Sequence, residues 1–534
     1  MSPGLKGTLA AMHRSVAEPR LPRVEGVLGI GLLTTLLAFI PNPHLGPEGF
    51  AVPKEAALVT LAFVVTLASR SLIARRFDRL EVALVCSTVL GFLAAVAARN
   101  PWVAFRAAGV TLAGVAVFVI VRGLDDRGRE RVMGMTLVSV VLIAASVIGE
   151  AYSVIGRLAP PGRAPGGIIG HRNYAAHALV IGFPALSMTA MKSKSPTAFF
   201  WCMGLTLTTS AIVLSRCRAA WIAVLVIGAL SLVLVAWKRP RFDSRRILIC
   251  AICVVAGAAL PLLVRPPLVW TSESPFVETS RGLFNHDEGS GRGRLIQYAA
   301  TLKMIADHPF LGVGPENWAN AYPQYASAND PNFRSLDLQS VNRLPNSDWL
   351  GFAAERGVIA LACLVFAACA GARRLWRTLK DQGGTPPAIT GITTLVTVVV
   401  LGTFDAVILR PESLLLAAVL LGILVPAAGR NVPGGAVVLP NRWAILVIAT
   451  SLVFVLQVAR VVALALVRSP DIGHRELAWR LDRGNTVTGT RLAQYWMVHS
   501  RCDLALPIAE TVLQREPFLA HARTVVEVCR SSQH

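Results

Sequence analysis

Charge is what this 534-residue chain has least of: Asp, Glu, Lys and Arg make up 16% of it, where soluble domains run at about 25%. Acidic residues are the scarcer kind, 31 against 52 basic, for a formal charge of +21. With 54% hydrophobic residues and a mean hydropathy of +0.56, the deficit excludes an ordinary soluble domain. The basic excess does not point to nucleic acid. It is split into short clusters between apolar runs, as juxtamembrane anchors facing anionic lipid are, so no nucleic-acid partner is expected. A cysteine framework is also missing. Of nine cysteines, Cys86, Cys202, Cys250, Cys253, Cys363 and Cys369 fall inside apolar runs and Cys217 ends one. The Cys250-x-x-Cys253 spacing inside such a run suits packing better than redox or zinc chemistry, so no metal is expected. No convincing cleavage site follows the first apolar run, which therefore reads as an anchor.

What is present is a succession of apolar stretches near the ~20-residue length that spans a bilayer. Thirteen are expected, near 24–41, 56–73, 81–98, 103–121, 132–150, 174–191, 197–214, 219–237, 246–264, 349–370, 388–408, 412–428 and 443–467. Two short ones are alternatively re-entrant. Every second connection is basic, beginning with Lys6, Arg14, Arg20 and Arg23 before the first stretch. The series continues through Arg70, Arg75, Arg76 and Arg79, later through Lys238, Arg239, Arg241, Arg245 and Arg246, and ends at Arg430 and Arg442. The positive-inside rule then puts the N-terminus in the cytoplasm, and residues 265–348 and the tail from about 468 outside. Two arginines break the pattern. Arg216 and Arg218 occupy a very short outer turn, SRCRAAW, where the rule disfavours them. Either they snorkel from a helix end or they form an outward-facing anion site, since guanidinium groups bind phosphate through paired donors.

The outer loop has internal order. SGRGRLIQYAATLKMIADHP reads as an amphipathic helix, with Leu295, Ile296, Ala299, Leu302 and Ile305 on one face and Pro309 near its stop. Arg292 and Arg294 stand at its start, where acidic residues are the usual choice. That suits either an anion bound at that end or a solvated helix on the membrane surface. In HPFLGVGPENWANAYPQYA, Gly312, Gly314 and Pro315 make a tight turn, and Trp318, Tyr322 and Tyr325 are interfacial anchors or platforms for sugar. RLPNSDWLGFAAERG then runs into a stretch holding Glu355 and Arg356, charges that at membrane depth raise a functional hypothesis.

Four segments in this order resemble the O-antigen ligase and O-antigen polymerase (Wzy_C-type) superfamily. GHRNYAAHALVI is similar to its Gly-x-x-Asn-x-x-Ala segment and SRCRAAW to its Ser-Arg-Gly-Ala turn. Arg294 through DHPFLGVGPENW resembles its arginine-bearing helix and Pro-Phe-Leu-Gly-x-Gly, and PNSDWLGFAAERG its His-Asn-x-x-Leu-x-x-x-x-Glu-x-Gly. The likeness spans roughly 165–430. It implies an inner-membrane enzyme that moves a glycan from undecaprenyl pyrophosphate to a glycan, lipid or protein acceptor at the periplasmic face, with no cofactor. The pyrophosphate-holding role is carried onto Arg216 and onto Arg292 or Arg294, with Arg218 a further candidate in the same turn as Arg216; Trp318, Tyr322 and Asn346 are the candidate glycan contacts. The family's loop histidine does not carry over, because Pro345 stands there and proline has no proton to exchange. Asp348, His308 and Glu355 are the substitute catalytic candidates, with His171 and His286 further ones on the outer side. A flippase for polyprenyl-linked sugars or a non-catalytic assembly protein are the alternatives. Against the flippase stand the absence of an obvious inverted repeat and the large ordered loop.

The expected architecture is thus an all-α polytopic membrane bundle of about thirteen spans. It comprises a cytoplasmic tail (1–23), nine spans (24–264), a periplasmic loop (265–348), four spans (349–467) and a periplasmic helical tail (468–534). In that tail Tyr495, Val498, Leu504, Ile508, Ala509 and Leu513, followed by Pro517 and Phe518, resemble one tetratricopeptide-like unit. A single unit cannot bury its own face, so it should dock on the outer loop or on a protein partner. Cys502 and Cys529 would share the oxidising side and are candidates to pair.

Overall fold

A computed structural model describes residues 24–40, 48–73, 77–160, 162–194, 196–238, 243–268, 270, 274–282, 289–327, 330–331, 333–334, 339–340, 343–381, 386–427 and 441–532. His286 lies outside them. Among the described residues the regular structure is helical apart from a two-residue pairing of Phe333–Arg334 with Gln339–Ser340. Among the described residues, nine helices longer than four residues precede the large loop: α1 (Val24–Leu37), α2 (Glu48–Ala68), α3 (Arg79–Ala97), α4 (Pro101–Gly123), α5 (Asp126–Ala151), α6 (Arg172–Lys192), α7 (Thr197–Ser215), α8 (Arg218–Lys238) and α9 (Ser244–Leu263). The loop carries α10 (Pro275–Arg281) and α11 (Gly289–Asp307). After it come α12 (Asp348–Asp381), α13 (Pro386–Phe404), α14 (Pro411–Leu424) and α15 (Arg442–Leu466), then the tail helices α16 (Ile472–Leu481), α17 (Thr486–Val498), α18 (Cys502–Arg515) and α19 (Ala520–Ser531).

Each of the thirteen expected stretches overlaps an apolar helix, with ends displaced by up to eleven residues. Eleven are long and apolar enough to cross a membrane, while α1 and α14 have 14 residues each, or about 21 Å at 1.5 Å per residue. The chain is a multi-pass membrane protein. Its solvent explains its surface: α8, α9 and α15 show Leu232, Val255 and Leu452 outward at 74%, 67% and 63% exposure, which water would penalise and lipid does not. Among the eleven long helices the most enclosed are α4 and α6, whose buried positions are mainly alanine, glycine and valine, so that backbones approach closely without needing a hydrophobic drive.

Helix ends gather in two opposed layers. In one, Arg122 of α4 pairs with Asp78 (2.7 Å) and Glu81 (3.0 Å) before and within α3 and donates to the Pro426 carbonyl after α14 (2.6 Å). Arg374 of α12 reaches the same Asp78 at 2.6 Å. The other layer bears the loop. There Glu150, ending α5, accepts the backbone amides of Leu158, Ala159, Gly166 and Gly167 at 2.7–3.0 Å, folding the connection to α6 around one carboxylate.

The glycines in PFLGVG and in AAERG serve each other. At Gly357, φ is 82° and α12 breaks. The Val358 amide turns to the Pro309 carbonyl (2.8 Å), and the carbonyls of Ala354 and Glu355 accept the amides of Val313 (2.8 Å) and Gly314 (3.0 Å). A Cβ at Gly357 would overlap the Phe310 carbonyl oxygen. The Gly-x-Gly of the loop is thus a backbone dock for a broken helix, not a phosphate cradle. Gly357→Ala is expected to cost about 3 kcal/mol or more, since both the glycine-only backbone region and these bonds are lost. A fall in folded membrane protein, read by fluorescent size-exclusion, checks it.

Helix α11 forms over the expected residues but buries a different face. Leu295, Ala299 and Leu302 point outward, while Gln297, Ala300, Thr301 and Met304 are buried. The reason is hydrogen bonding: Gln297 accepts the Asn346 amide (2.6 Å), and Thr301 accepts from the Trp318 indole (3.1 Å).

The tail packs onto the loop-bearing layer. Asn100, between α3 and α4, donates its side-chain amide to the Gly484 carbonyl (2.9 Å) and exchanges bonds with Asn317 of the loop (3.0 and 3.2 Å). Within the tail Val498 is exposed rather than packed, and Ala493, Ala505, Ala509, Val525 and Val526 form the core. Cys502 and Cys529, 27 residues apart, are disulfide-bonded. Closing a loop of that length contributes about 3.5 kcal/mol. Reductant should therefore lower the tail's thermal transition and shift the chain on a non-reducing gel after proteolysis, whereas two thiols alkylated before reduction would contradict the bond.

Candidate functional site

Arg216 ends α7 in the left-handed conformation, φ 53°, a strained choice for a non-glycine residue. The turn throws its side chain against α10. Its Nε donates to Thr279 Oγ1 (3.0 Å), its Nη2 sits 3.4 Å from the exposed Glu278 carboxylate, and its guanidinium lies over the Trp270 ring at 5.4 Å. Burial, together with the neighbouring charge of Arg172, pushes the Arg216 guanidinium below its ordinary value against the pull of Glu278. Arg218, opening α8, donates to the Gly282 carbonyl. Arg294 is half-buried on α11, within electrostatic reach of Arg218 and Tyr298, whereas Arg292 is exposed. Arg163, Arg172 and Arg294 pair with no carboxylate among the described residues. Unneutralised guanidinium groups held together at the edge of a low-dielectric region are an anion site in electrostatic terms.

Beneath these arginines lies a polar centre that sequence reasoning missed. Asp405, just past α13, takes the Ala406 amide on Oδ1 (2.9 Å). Its Oδ2 is 3.4 Å from Asn173 Nδ2 and 3.7 Å from His177 Nε2. The same His177 nitrogen is 3.6 Å from Cys217 Sγ, and His177 Nδ1 has no hydrogen-bond partner among the described residues. Arg410, before α14, stacks over Tyr174 at 4.2 Å and meets Glu412 at 3.3 Å. The available signal was two acids, Asp405 and Glu412, flanking one base, Arg410, in FDAVILRPES, where two apolar stretches meet.

The expected site residues divide. Arg216, Arg218 and Arg294 come together. Asp348 is fully buried and accepts the amides of Val407 (2.9 Å), Ile408 (2.9 Å) and Leu409 (3.3 Å), so it ties the α13–α14 turn rather than facing a substrate. Glu355 is buried against Arg356 (2.9 Å) in a 50 Å³ cavity shared with Glu55, Glu316 and Arg410. His308 is exposed on the far side of the loop, beside Arg99 and Tyr325. His171 caps α6 through Nδ1 and the Asn173 amide (3.1 Å), and burial lowers its pKa to about 3, outweighing the pull of Asp405; it is neutral. Trp318 and Tyr322 are both fully buried, bonded to Thr301 and to Asp330 (2.7 Å), so neither ring face is open to a sugar. Asn346 stays near the arginines, its carbonyl accepting from the Tyr298 hydroxyl at 2.8 Å. Pro345 is buried against Gly351.

Residues 203–365, from α7 to the first half of α12, match the family model described as O-antigen ligase (Wzy_C). No curated protein matches the chain. The family match covers Arg216, Arg218, Arg294 and Asn346; Arg172, His177, Asp405 and Arg410 lie outside it.

Proposed function

We propose that this chain, whose central segment supports its placement in the O-antigen ligase and polymerase superfamily, is a membrane glycan ligase or polymerase. It transfers a polyprenyl-pyrophosphate-linked glycan to an acceptor hydroxyl at the loop-bearing face. The alternation of basic connections makes that face the periplasmic one of a bacterial inner membrane. The observation that carries the reading is two neighbouring arginine pairs, Arg172 with Arg216 and Arg218 with Arg294, at the level where the helices end. A pyrophosphate on an isoprenoid presents its charge at that depth.

In the transfer, the acceptor oxygen bonds to the anomeric carbon as the bond from that carbon to the phosphate oxygen breaks. The pyrophosphate leaves with the electron pair, and its growing charge is met by the arginines. The acceptor's proton goes to a base. Pro345 cannot supply one, and Asp348 is occupied by three amides. Asp405 is the carboxylate at the arginine cluster, oriented by Asn173 and His177, and it takes that role.

Deleting the gene and following lipid-linked glycan tests this. A ligase or polymerase defect accumulates lipid-linked glycan accessible from the periplasm, and Arg294→Ala fails to clear it. Accumulation confined to the inner leaflet would mean a flippase instead.

A further inference from the structure

A polar cavity of 120 Å³ lies where three parts of the chain meet: the loop-bearing ends of α2, α4 and α15, the loop segment around Glu316, and the tail between α16 and α17. Its arginines are neutralised, unlike those above Asp405. Arg106 on α4 pairs with Glu316 (3.1 Å), Arg343 with Glu48 (3.1 Å), and Arg460 on α15 with Glu55. One carboxylate is left over. Asp482, just after α16, lines the cavity at 8% exposure, and its side chain has no hydrogen bond or ion pair among the described residues. Arg106 is within its electrostatic reach but is already held by Glu316. Two amides stand with it. Asn320 makes no side-chain bond among the described residues, and Asn485 uses only its Oδ1, on the Thr488 amide (3.1 Å). The tail thus docks with a buried charge and amide groups uncommitted, an arrangement that costs stability until a ligand pairs with them.

A carboxylate only accepts hydrogen bonds, whereas an amide both donates and accepts. Phosphate does not suit that set, because it brings no donors and meets Asp482 with like charge. A sugar does. Its vicinal hydroxyls donate to the carboxylate and exchange bonds with the amides, while its C–H faces rest on apolar wall such as Val103 and Leu464, the usual mix of a small-molecule pocket. A volume of 120 Å³ takes on the order of ten water-sized groups, the scale of one sugar ring with its hydroxyls. The cavity also leads toward the reaction centre. Glu316 borders the 50 Å³ cavity that holds Arg410. Arg410 lies over Tyr174 (4.2 Å), whose ring is 6.3 Å from that of His177, beside Asp405. An occupant that reaches both ends of this line is a chain of more than one sugar unit. We propose that the cavity under the tail is the acceptor subsite, holding a neutral sugar unit of an oligosaccharide acceptor through Asp482, Asn320 and Asn485. The proposal rests on the function given above and adds the class of its acceptor.

The test uses full-length protein in phospholipid nanodiscs. The probe is the neutral oligosaccharide fraction released by mild acid from the surface glycan of the cells that make the protein. Titration by saturation-transfer NMR, with no donor present, should show saturable binding that weakens about tenfold or more in Asp482→Asn and in Asn320→Ala. Neither side chain bonds within the described fold, so both variants should be recovered folded. Asp471→Asn, exposed on the same tail, should bind as wild type does. Inorganic pyrophosphate should not displace the probe. In transfer assays both cavity variants should raise the KM for an oligosaccharide acceptor about tenfold and leave the KM for the lipid-linked donor in place. Displacement by pyrophosphate, undiminished binding by both variants, or preferential binding of a lysine-bearing peptide would overturn the proposal. Saturable, variant-sensitive sugar binding by wild-type protein that transfers glycan from no donor would leave the sugar site standing and remove the transferase reading.

Discussion

Asp405→Asn is expected to lower glycan transfer by about 10²–10⁴-fold, the usual range for losing a general base, while folded protein and donor affinity stay close to wild type. The carboxylate accepts one strong backbone bond, from Ala406, on Oδ1, and an asparagine oxygen can replace that acceptor. What the amide cannot do is take a proton from an acceptor hydroxyl. Asp348→Asn is the contrasting case. Its two oxygens accept three amides in a fully buried position, so a side-chain NH₂ must face at least one backbone donor there. About 2–3 kcal/mol of stability should go with it, and the variant should show as less folded protein rather than slower turnover per folded molecule. Rates normalised to folded protein separate the two aspartates. An Asp405→Asn variant with wild-type turnover would return the search for the base to its starting point.

Arg294→Ala should cost about 10²–10³-fold in transfer, as removing one preorganised donor from a developing negative charge does elsewhere. Lysine should recover only part of it, because a point charge lacks the paired donors that suit a phosphate. Arg292→Ala is the internal control. It sits two residues earlier on α11, is exposed, and should change transfer by less than about threefold, within the small effect of an exposed surface charge. Measuring both in one complementation strain, with lipid-linked glycan quantified per folded protein, decides between a specific anion site and a diffuse basic surface. Equal effects would favour the diffuse surface.

These contrasts mark where sequence reasoning stopped. The loop motif containing Pro345 drew attention to Asp348, its neighbour in the chain, while the carboxylate beside the arginines is Asp405, 57 residues further on. Locally it is marked only as a charge where two apolar stretches meet; its meaning comes from α13 ending beside α6. The aromatic loop residues misled for a related reason. Trp318 and Tyr322 look like platforms when only their types are visible, but the loop has a small core of its own, with Ala300, Met304 and Ala354, that consumes both rings. On α11 the period was right and the face was wrong, because Gln297 and Thr301 found partners across the fold that outweighed burying Leu295 and Leu302.

The amino-acid sequence by itself determined that this chain lives in a membrane and where its helices lie. Both follow from composition and run length, which act through the solvent and need no partner. It also marked Arg216 and Arg218 as out of place, since charge asymmetry between connections is a one-dimensional property. Tertiary structure alone decided which arginines face one another, which carboxylate stands with them, and that two glycine motifs lock a loop to a broken helix. Those facts depend on helix ends meeting from distant parts of the chain, where burial and hydrogen bonding fix each side chain's chemistry.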